Sequence, residues 1–78
     1  MNAQRSLDCV GLYCPLPIYN ASQEIKKLAA GEILEVVADD AGIKDDMPAW
    51  CDKTGHEFLG VEEEEDGEIR VYVRKARD

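Results

Sequence analysis

The chain has 78 residues, 45% of them apolar and 33% charged, which suits one small globular domain spanning residues 1–78 and excludes a disordered tail. No apolar run approaches the ~18 residues of a membrane span, and no apolar segment follows Arg5 as in a signal peptide. We therefore expect a cytoplasmic protein. A net charge of −8 disfavours direct binding of nucleic acid, and three cysteines, an odd number, argue against a disulfide framework.

The first half of the chain predicts a strand, a helix and a second strand. The strand covers residues 6–9. Apolar residues recurring at spacings of three and four then predict an amphipathic helix that begins at Pro15 and ends at Gly31. A nearly continuous apolar run over residues 33–38 is typical of an interior strand.

The second half predicts a helix and a β-hairpin. Asp45 or Asp46 is the predicted N-cap of the helix, with Pro48 in its first turn and Gly55 at its end. Strands over residues 58–63 and 69–74 are joined at Asp66-Gly67, a hairpin signal.

The order βαβαββ predicts an α+β fold, a two-layer α/β sandwich. It combines a four-stranded mixed sheet with two helices packed on one of its faces. Polar residues alternate with apolar ones in the last strand, so we expect the other face of the sheet to be wet.

Acidic residues are concentrated between positions 39 and 68, where twelve carboxylates stand against Lys44 and Lys53. One interpretation is a solvated acidic face that favours solubility. The other is a docking surface for basic partner proteins. The sequence does not separate the two.

Cys14 stands immediately before Pro15 in a Cys-Pro-Leu-Pro segment. Proline is favoured at the first helical position, so Cys14 is the predicted N-cap, where the helix dipole favours a thiolate. The amides of Leu16 and Ile18 are the predicted donors to the sulfur. Pro17 is expected within the first turn, which can become distorted or 3₁₀-like, because a residue before proline is biased away from helical geometry.

We expect the Cys14 thiol to carry a chemical group, which it accepts from one protein and passes to another. A hydrolytic Cys-His enzyme needs a nearby histidine and a substrate pocket, whereas the only histidine is His56 and the chain is short. Thiol–disulfide exchange uses a resolving cysteine two positions away, and this segment has prolines at positions 15 and 17. A terminal sulfur held as a persulfide is a group that suits such a site.

Four other residues near Cys14 are candidates for shaping the site, and for one of them two interpretations stay open. Pro15 and Pro17 are predicted to shape the presentation of Cys14. Gly11 is predicted to supply a backbone angle that other residues resist. Asp8 either positions the loop before Cys14 or is a simple turn acid.

Cys9 and Cys51 lie among apolar positions, and we predict buried structural thiols at both. His56 follows Gly55 and is predicted to be structural or at the surface, not a catalytic base. A zinc site built from these three residues and Cys14 lacks the close paired spacing of zinc ligands, so no metal site is predicted.

The Cys-Pro-Leu-Pro segment resembles the CPxP signature of the TusA/SirA/YedF family of sulfur carriers. The resemblance covers residues 6–75 and includes Leu7–Pro17, Leu28, Gly31-Glu32, Val37–Asp40, Asp46–Cys51 and Gly55-His56. It implies the same two-layer fold and a sulfurtransferase role in which Cys14 bears a persulfide. Ala41-Gly42 and Met47 depart from the family pattern at the entry to the second helix.

The resemblance also implies the partners of such a carrier. These are a sulfur donor, such as a cysteine desulfurase or a rhodanese-like protein, and an acceptor protein in tRNA thiolation, molybdenum-cofactor supply, sulfur oxidation or related sulfur trafficking. No cofactor is implied. We expect a monomer, because docking at a helix tip needs an uncovered surface. The alternative function is a non-catalytic acidic regulatory or adaptor module in which the cysteine is incidental.

Overall fold

The computed structural model describes residues 3–13 and 16–76, and its main elements follow the predicted order. They are β1 (Arg5–Asp8), α1 (Leu16–Glu24) extended by a 3₁₀ turn (Ile25–Lys27), β2 (Ile33–Ala38), α2 (Ile43–Thr54), β3 (Glu57–Glu63) and β4 (Ile69–Arg74). The strands form one sheet in the order β1-β2-β4-β3. β1 is parallel to β2, and the other neighbours are antiparallel, which confirms the predicted four-stranded mixed sheet.

The core lies between the sheet and the two helices. Leu34 and Val36 of β2 stand opposite Val73 and Val71 of β4, and all four are fully buried. Residues two apart in a strand point to the same face, so these four side chains form one apolar surface. The helices cover it with buried residues that belong to the same cluster, namely Ala21, Ile43, Met47 and Cys51. Full burial of a valine, leucine, isoleucine or methionine side chain contributes about 1.5–3 kcal/mol.

The opposite face of the sheet is less wet than the alternation in β4 predicts. Tyr72 points away from the helices yet is only 4% exposed. Its hydroxyl lies 2.9 Å from Glu35 Oε2 and 2.8 Å from Glu62 Oε1. The prediction missed this burial because the covering carboxylates come from the two neighbouring strands, which local alternation does not identify.

α2 begins earlier than predicted. Its N-cap is Gly42, so the prediction of Asp45 or Asp46 as the cap is wrong, and Pro48 lies inside the helix beyond its first turn. Asp40 accepts two amides at this start. Its Oδ1 accepts the Gly42 amide at 3.0 Å, and its carbonyl accepts the Ile43 amide at 3.1 Å. The two predicted caps instead lie in the first turn, where acidic side chains interact favourably with the positive end of the helix dipole and so stabilise the helix.

The two predicted helix ends have different outcomes. Gly55 terminates α2 as predicted, with φ of +85° and its amide donating to Cys51 O at 2.8 Å. Gly31 does not terminate the first helix, because the 3₁₀ turn already ends at Lys27 and Leu28 is extended. Gly31 instead donates its amide to Lys75 O at 2.8 Å, a contact with the chain beyond β4.

The parallel pairing of β1 and β2 positions the candidate site. The carboxyl ends of parallel neighbours meet at one edge of the sheet. Residues 9–13, which follow β1, and residues 39–42, which follow β2, therefore lie at that edge, where both helices begin. Within the described ranges, no helix is both long enough and apolar enough to cross a membrane.

Candidate functional site: the loop before the first helix

The segment Cys9–Tyr13, which we call the cysteine loop, leads from β1 towards Cys14. Cys14 and Pro15 lie outside the described residues, so the predicted N-cap position of Cys14 stays a prediction. Leu16, the next residue, is the first residue of α1, and Pro17 is its buried second residue. The expectation that Pro17 falls within the first turn is confirmed.

Two hydrogen bonds join the cysteine loop to the chain at the end of β2. Cys9 continues the parallel ladder by donating its amide to Val37 O at 2.6 Å. Two residues later, the Gly11 amide donates to Asp39 Oδ1 at 3.0 Å. The Asp39 carboxylate therefore binds the loop beyond Cys9, the last residue that is hydrogen-bonded to the backbone of β2.

Two further hydrogen bonds shape the loop locally. Asp8 Oδ1 accepts the Val10 amide at 3.0 Å, and Cys9 O accepts the Leu12 amide at 3.1 Å. The Asp8 carboxylate thus contacts the loop, the arrangement required by the first of its two interpretations. Four consecutive amides, from Cys9 to Leu12, have defined acceptors.

Gly11 has a φ of +88°, in the left-handed region that L side chains resist. Apart from its two chain neighbours, no described residue has an atom within 4 Å of a Cβ placed on Gly11. The requirement for glycine therefore comes from the backbone angle alone, as the sequence predicts, and not from a crowded neighbour.

One backbone hydrogen bond is described at the entry to α1. Leu16 N donates to Tyr13 O at 2.9 Å, a bond between residues three apart. Because Cys14 lies outside the described residues, donation from the Leu16 and Ile18 amides to its sulfur stays a prediction. Ile18 lies in the first turn of α1.

The segment that contains the cysteine loop has no charged residue of its own and is partly apolar at the surface, although the Asp8 and Asp39 carboxylates contact it. No charged residue occurs from Cys9 to Gln23, although a third of the chain is charged. Four large apolar side chains of this segment are exposed, and they are Val10 (43%), Tyr13 (76%), Leu16 (48%) and Tyr19 (60%).

The two described cysteines are buried, as predicted. Cys9 is fully buried, and burial raises the pKa of its thiol. Cys51 is 2% exposed, and burial raises the pKa of its thiol to about 11. Both thiols are therefore protonated at neutral pH and shielded from reagents.

His56 lies in a structural setting. Its ring centroid is 5.4 Å from that of Trp50, and its Nδ1 accepts the Ala76 amide at 3.1 Å. Among residues 3–13 and 16–76, no group of three His, Cys, Asp or Glu side chains could hold a metal ion.

Asp39 is the residue that sequence reasoning missed. A signal was available, because Asp39 directly follows β2 and β2 is the parallel neighbour of β1. An acid in that position can reach the amides that follow β1. The sequence alone, however, does not identify which amide it meets.

Comparisons with known proteins agree with the geometry. A family model described as Sulfurtransferase TusA matches residues 5–75. YrkF of Bacillus subtilis is 49% identical over 76 residues, which make up 96% of this chain but 40% of YrkF, so this chain spans less than half of that relative. Sulfur carrier protein TusA of Pseudomonas entomophila is 40% identical over 73 residues, 94% of this chain and 90% of that protein.

A solved structure shares the fold. The SirA-like protein from Desulfitobacterium hafniense superposes with a TM-score of 0.83 at 21% identity, covering 95% of this chain and 100% of that one. The sheet and the two helices are therefore arranged as in a SirA-like protein. Since the family model and the Pseudomonas relative both span nearly the whole chain, this protein belongs to the TusA family of sulfurtransferases, whose named members include sulfur carrier proteins.

Proposed function

We propose that this chain accepts a sulfane sulfur as a persulfide on Cys14 and passes it to a partner protein. The observation that carries the proposal is the burial of the other two thiols. Cys9 and Cys51 are closed off in the core with raised pKa values, which leaves Cys14 as the thiol available for transfer. The sulfur carrier names of the relatives support the same role.

The start of α1 supports thiolate chemistry at Cys14. The first described helical residue is Leu16, and the positive end of a helix dipole favours an anion placed just before it. In this proposal the amides of the first turn and the helix dipole stabilise the thiolate.

The receiving step needs no oxidant or reductant from outside. The Cys14 thiolate attacks the outer sulfur of a donor persulfide. The S–S bond of the donor breaks, a new S–S bond forms on Cys14, and the donor cysteine leaves as a thiolate. The outer sulfur keeps its proton, and the delivery step repeats the exchange with Cys14 as the leaving thiolate.

The proposal includes two partner proteins, a sulfur donor such as a cysteine desulfurase or a rhodanese-like protein, and an acceptor. It places the chain in the cytoplasm, where thiols stay reduced. The net charge of −8 favours delivery to a protein over direct contact with RNA.

Intact-mass measurement after sulfur loading tests the proposal. The chain is incubated with a cysteine desulfurase and cysteine, or with thiosulfate. We expect the mass to rise by one sulfur atom, the added sulfur to disappear on reduction, and Cys14→Ser to gain none. Cys51→Ala serves as the matched control, because it removes a buried thiol and is expected to load as the parent does.

A parent chain that takes up no sulfur would contradict the proposal, as would a Cys14→Ser chain that takes up as much as the parent. If Cys14→Ser keeps cellular function and neutralisation of the acidic run from Glu62 to Asp66 abolishes it, the adaptor alternative is correct instead.

A further inference from the structure

The side chain of Asp39, the residue directly after β2, holds the cysteine loop. Asp39 Oδ1 accepts the Gly11 amide at 3.0 Å, across a sequence separation of 28 residues. The backbone bond from Cys9 to Val37 O is the last ladder contact, and the Asp39 contact follows it. Gly11 is only three residues before Cys14, and no bond between the loop and β2 is described beyond it among residues 3–13.

We propose that Asp39 is a positioning residue for sulfur transfer, which acts by holding the Gly11 amide and thereby the presentation of Cys14. The proposal rests on the assignment of Cys14 as the sulfur-bearing residue. The effect of Asp39 passes through the loop backbone, from the Gly11 amide towards Cys14.

The geometry gives Asp39 this role in preference to the other loop contacts. The bonds from Val10 to Asp8 and from Leu12 to Cys9 join residues two and three apart, so they shape the loop without fixing it to the sheet. The Asp39 bond instead fixes the loop to the residue that directly follows β2, a strand with neighbours on both sides. A hydrogen bond to a charged acceptor is also among the stronger ones.

A different contact joins the end of the cysteine loop to α1. Leu16 N donates to Tyr13 O at 2.9 Å, and Leu16 belongs to α1. The stretch from Gly11 to Tyr13 therefore runs between the Asp39 contact and the first residue of α1. Loss of the Asp39 contact removes the attachment to the end of β2 that is nearest to Cys14 in sequence.

Two substitutions at Asp39 separate the hydrogen bond from the charge. Asp39→Asn keeps an Oδ1 acceptor and removes the charge, whereas Asp39→Ala removes both. A negative charge near a thiol disfavours its thiolate, so a role through charge alone makes both variants more reactive. A role through the hydrogen bond makes Asp39→Ala slower, and Asp39→Asn recovers most of the lost rate.

Asp66→Ala is the matched control. Asp66 Oδ1 accepts the Glu68 amide at 3.0 Å, so it is also an exposed aspartate that holds a loop amide. It lies in the β3–β4 hairpin and does not contact the cysteine loop in the hydrogen bonds of the described residues.

The experiment measures three quantities on each full-length variant, namely amide exchange at Gly11, the pH profile of Cys14 alkylation by iodoacetamide, and the rate of sulfur loading from a desulfurase with cysteine. In Asp39→Ala we expect Gly11 exchange to rise and sulfur loading to fall, each about tenfold, because a charge-assisted hydrogen bond is lost. We also expect its alkylation profile to differ from that of the parent. Asp66→Ala is expected to match the parent in all three.

Two outcomes would overturn the inference. One is an Asp39→Ala chain that matches Asp66→Ala in Gly11 exchange and in loading rate. The other is an Asp39→Asn chain as impaired as Asp39→Ala. Failure of the proposed function gives a different result from failure of this inference. In that case the parent takes up no sulfur, while Gly11 amide exchange and Cys14 alkylation still measure the effect of the Asp39 contact.

Discussion

The cysteine loop and the outer face of the sheet use carboxylates in opposite ways. In the loop, Asp8 and Asp39 accept backbone amides and so shape the path of the chain. On the outer face, which we call the acidic face, the carboxylates meet side chains. Its residues are Glu35, Glu62, Glu64, Glu68, Arg70 and Tyr72.

The carboxylates of the acidic face are bound by the Arg70 guanidinium and by the hydroxyls of Tyr72 and Ser6. Arg70 lies within 3.5 Å of carboxylate oxygens of Glu35, Glu64 and Glu68. Tyr72 contributes its hydroxyl to Glu35 and Glu62. Part of the high acidic content therefore has a structural use, and the acidic face is separate from the uncharged segment that contains Cys14. Whether the acidic face also docks a partner stays a prediction.

The sharpest test of the contrast concerns the thiols. At neutral pH we expect iodoacetamide to modify the folded chain at Cys14, while Cys9 and Cys51 react on the order of a hundredfold more slowly than in denaturant, because burial keeps them protonated and inaccessible. Mass spectrometry of alkylated peptides measures this. Rapid modification of folded Cys14→Ser would break the distinction between the buried thiols and the candidate site.

Tyr72→Phe tests whether the acidic face contributes to stability. Loss of the hydroxyl leaves Glu35 and Glu62 without a shared partner, and we expect the free energy of unfolding to fall by about 1.5–3 kcal/mol. Urea denaturation measures the change. Tyr19→Phe, at a side chain that is 60% exposed, is the control and should leave stability unchanged. If Tyr72→Phe has the same free energy of unfolding as the parent, the acidic face does not contribute to stability.

Gly11→Ala and Gly67→Ala compare the loop with the β3–β4 hairpin at matched strain. Their φ values are +88° and +93°, and apart from chain neighbours no described residue has an atom within 4 Å of a Cβ added at either position. Each substitution is expected to cost about 1 kcal/mol of unfolding free energy. Only Gly11→Ala is expected to slow sulfur loading, and equal loading by the two variants would contradict a special role for the loop.

The smallest expected effect is in the pH dependence of stability. Hydrogen bonds from Ser6 and Tyr72, together with Arg70, lower the pKa of Glu35 below its ordinary 4.5. A carboxyl whose pKa is lower in the folded state stabilises fully above 4.5, and this contribution is lost as the pH falls through the folded value. Glu35→Gln should therefore flatten the stability profile below pH 4.5.

The control for this measurement is Glu65→Gln, which removes the same charge at an exposed position of the hairpin. Unfolding midpoints between pH 3 and pH 6, a window of about 1.5 units on each side of the ordinary glutamate pKa, measure both variants. If the unfolding midpoints of Glu35→Gln and of the parent coincide across this pH range, Glu35 does not contribute to the pH dependence of stability.

The sequence by itself determined the elements and the candidate thiol. Hydrophobic periods of two and of about 3.6 residues are local properties, so they identified β2, α2 and the closing hairpin within a few residues. The prolines around Cys14 are local as well, and they led to the same family that the comparisons show.

The tertiary structure decided what depends on distant residues. β4 inserts between β2 and β3, Asp39 meets Gly11 across 28 positions, and Glu35 reaches Tyr72 across 37. The burial of Tyr72 and the attachment of the cysteine loop to Asp39 follow from these long-range contacts. They depend on strand order and register, which are set by packing of the whole sheet against its helices and not by any pattern along the chain.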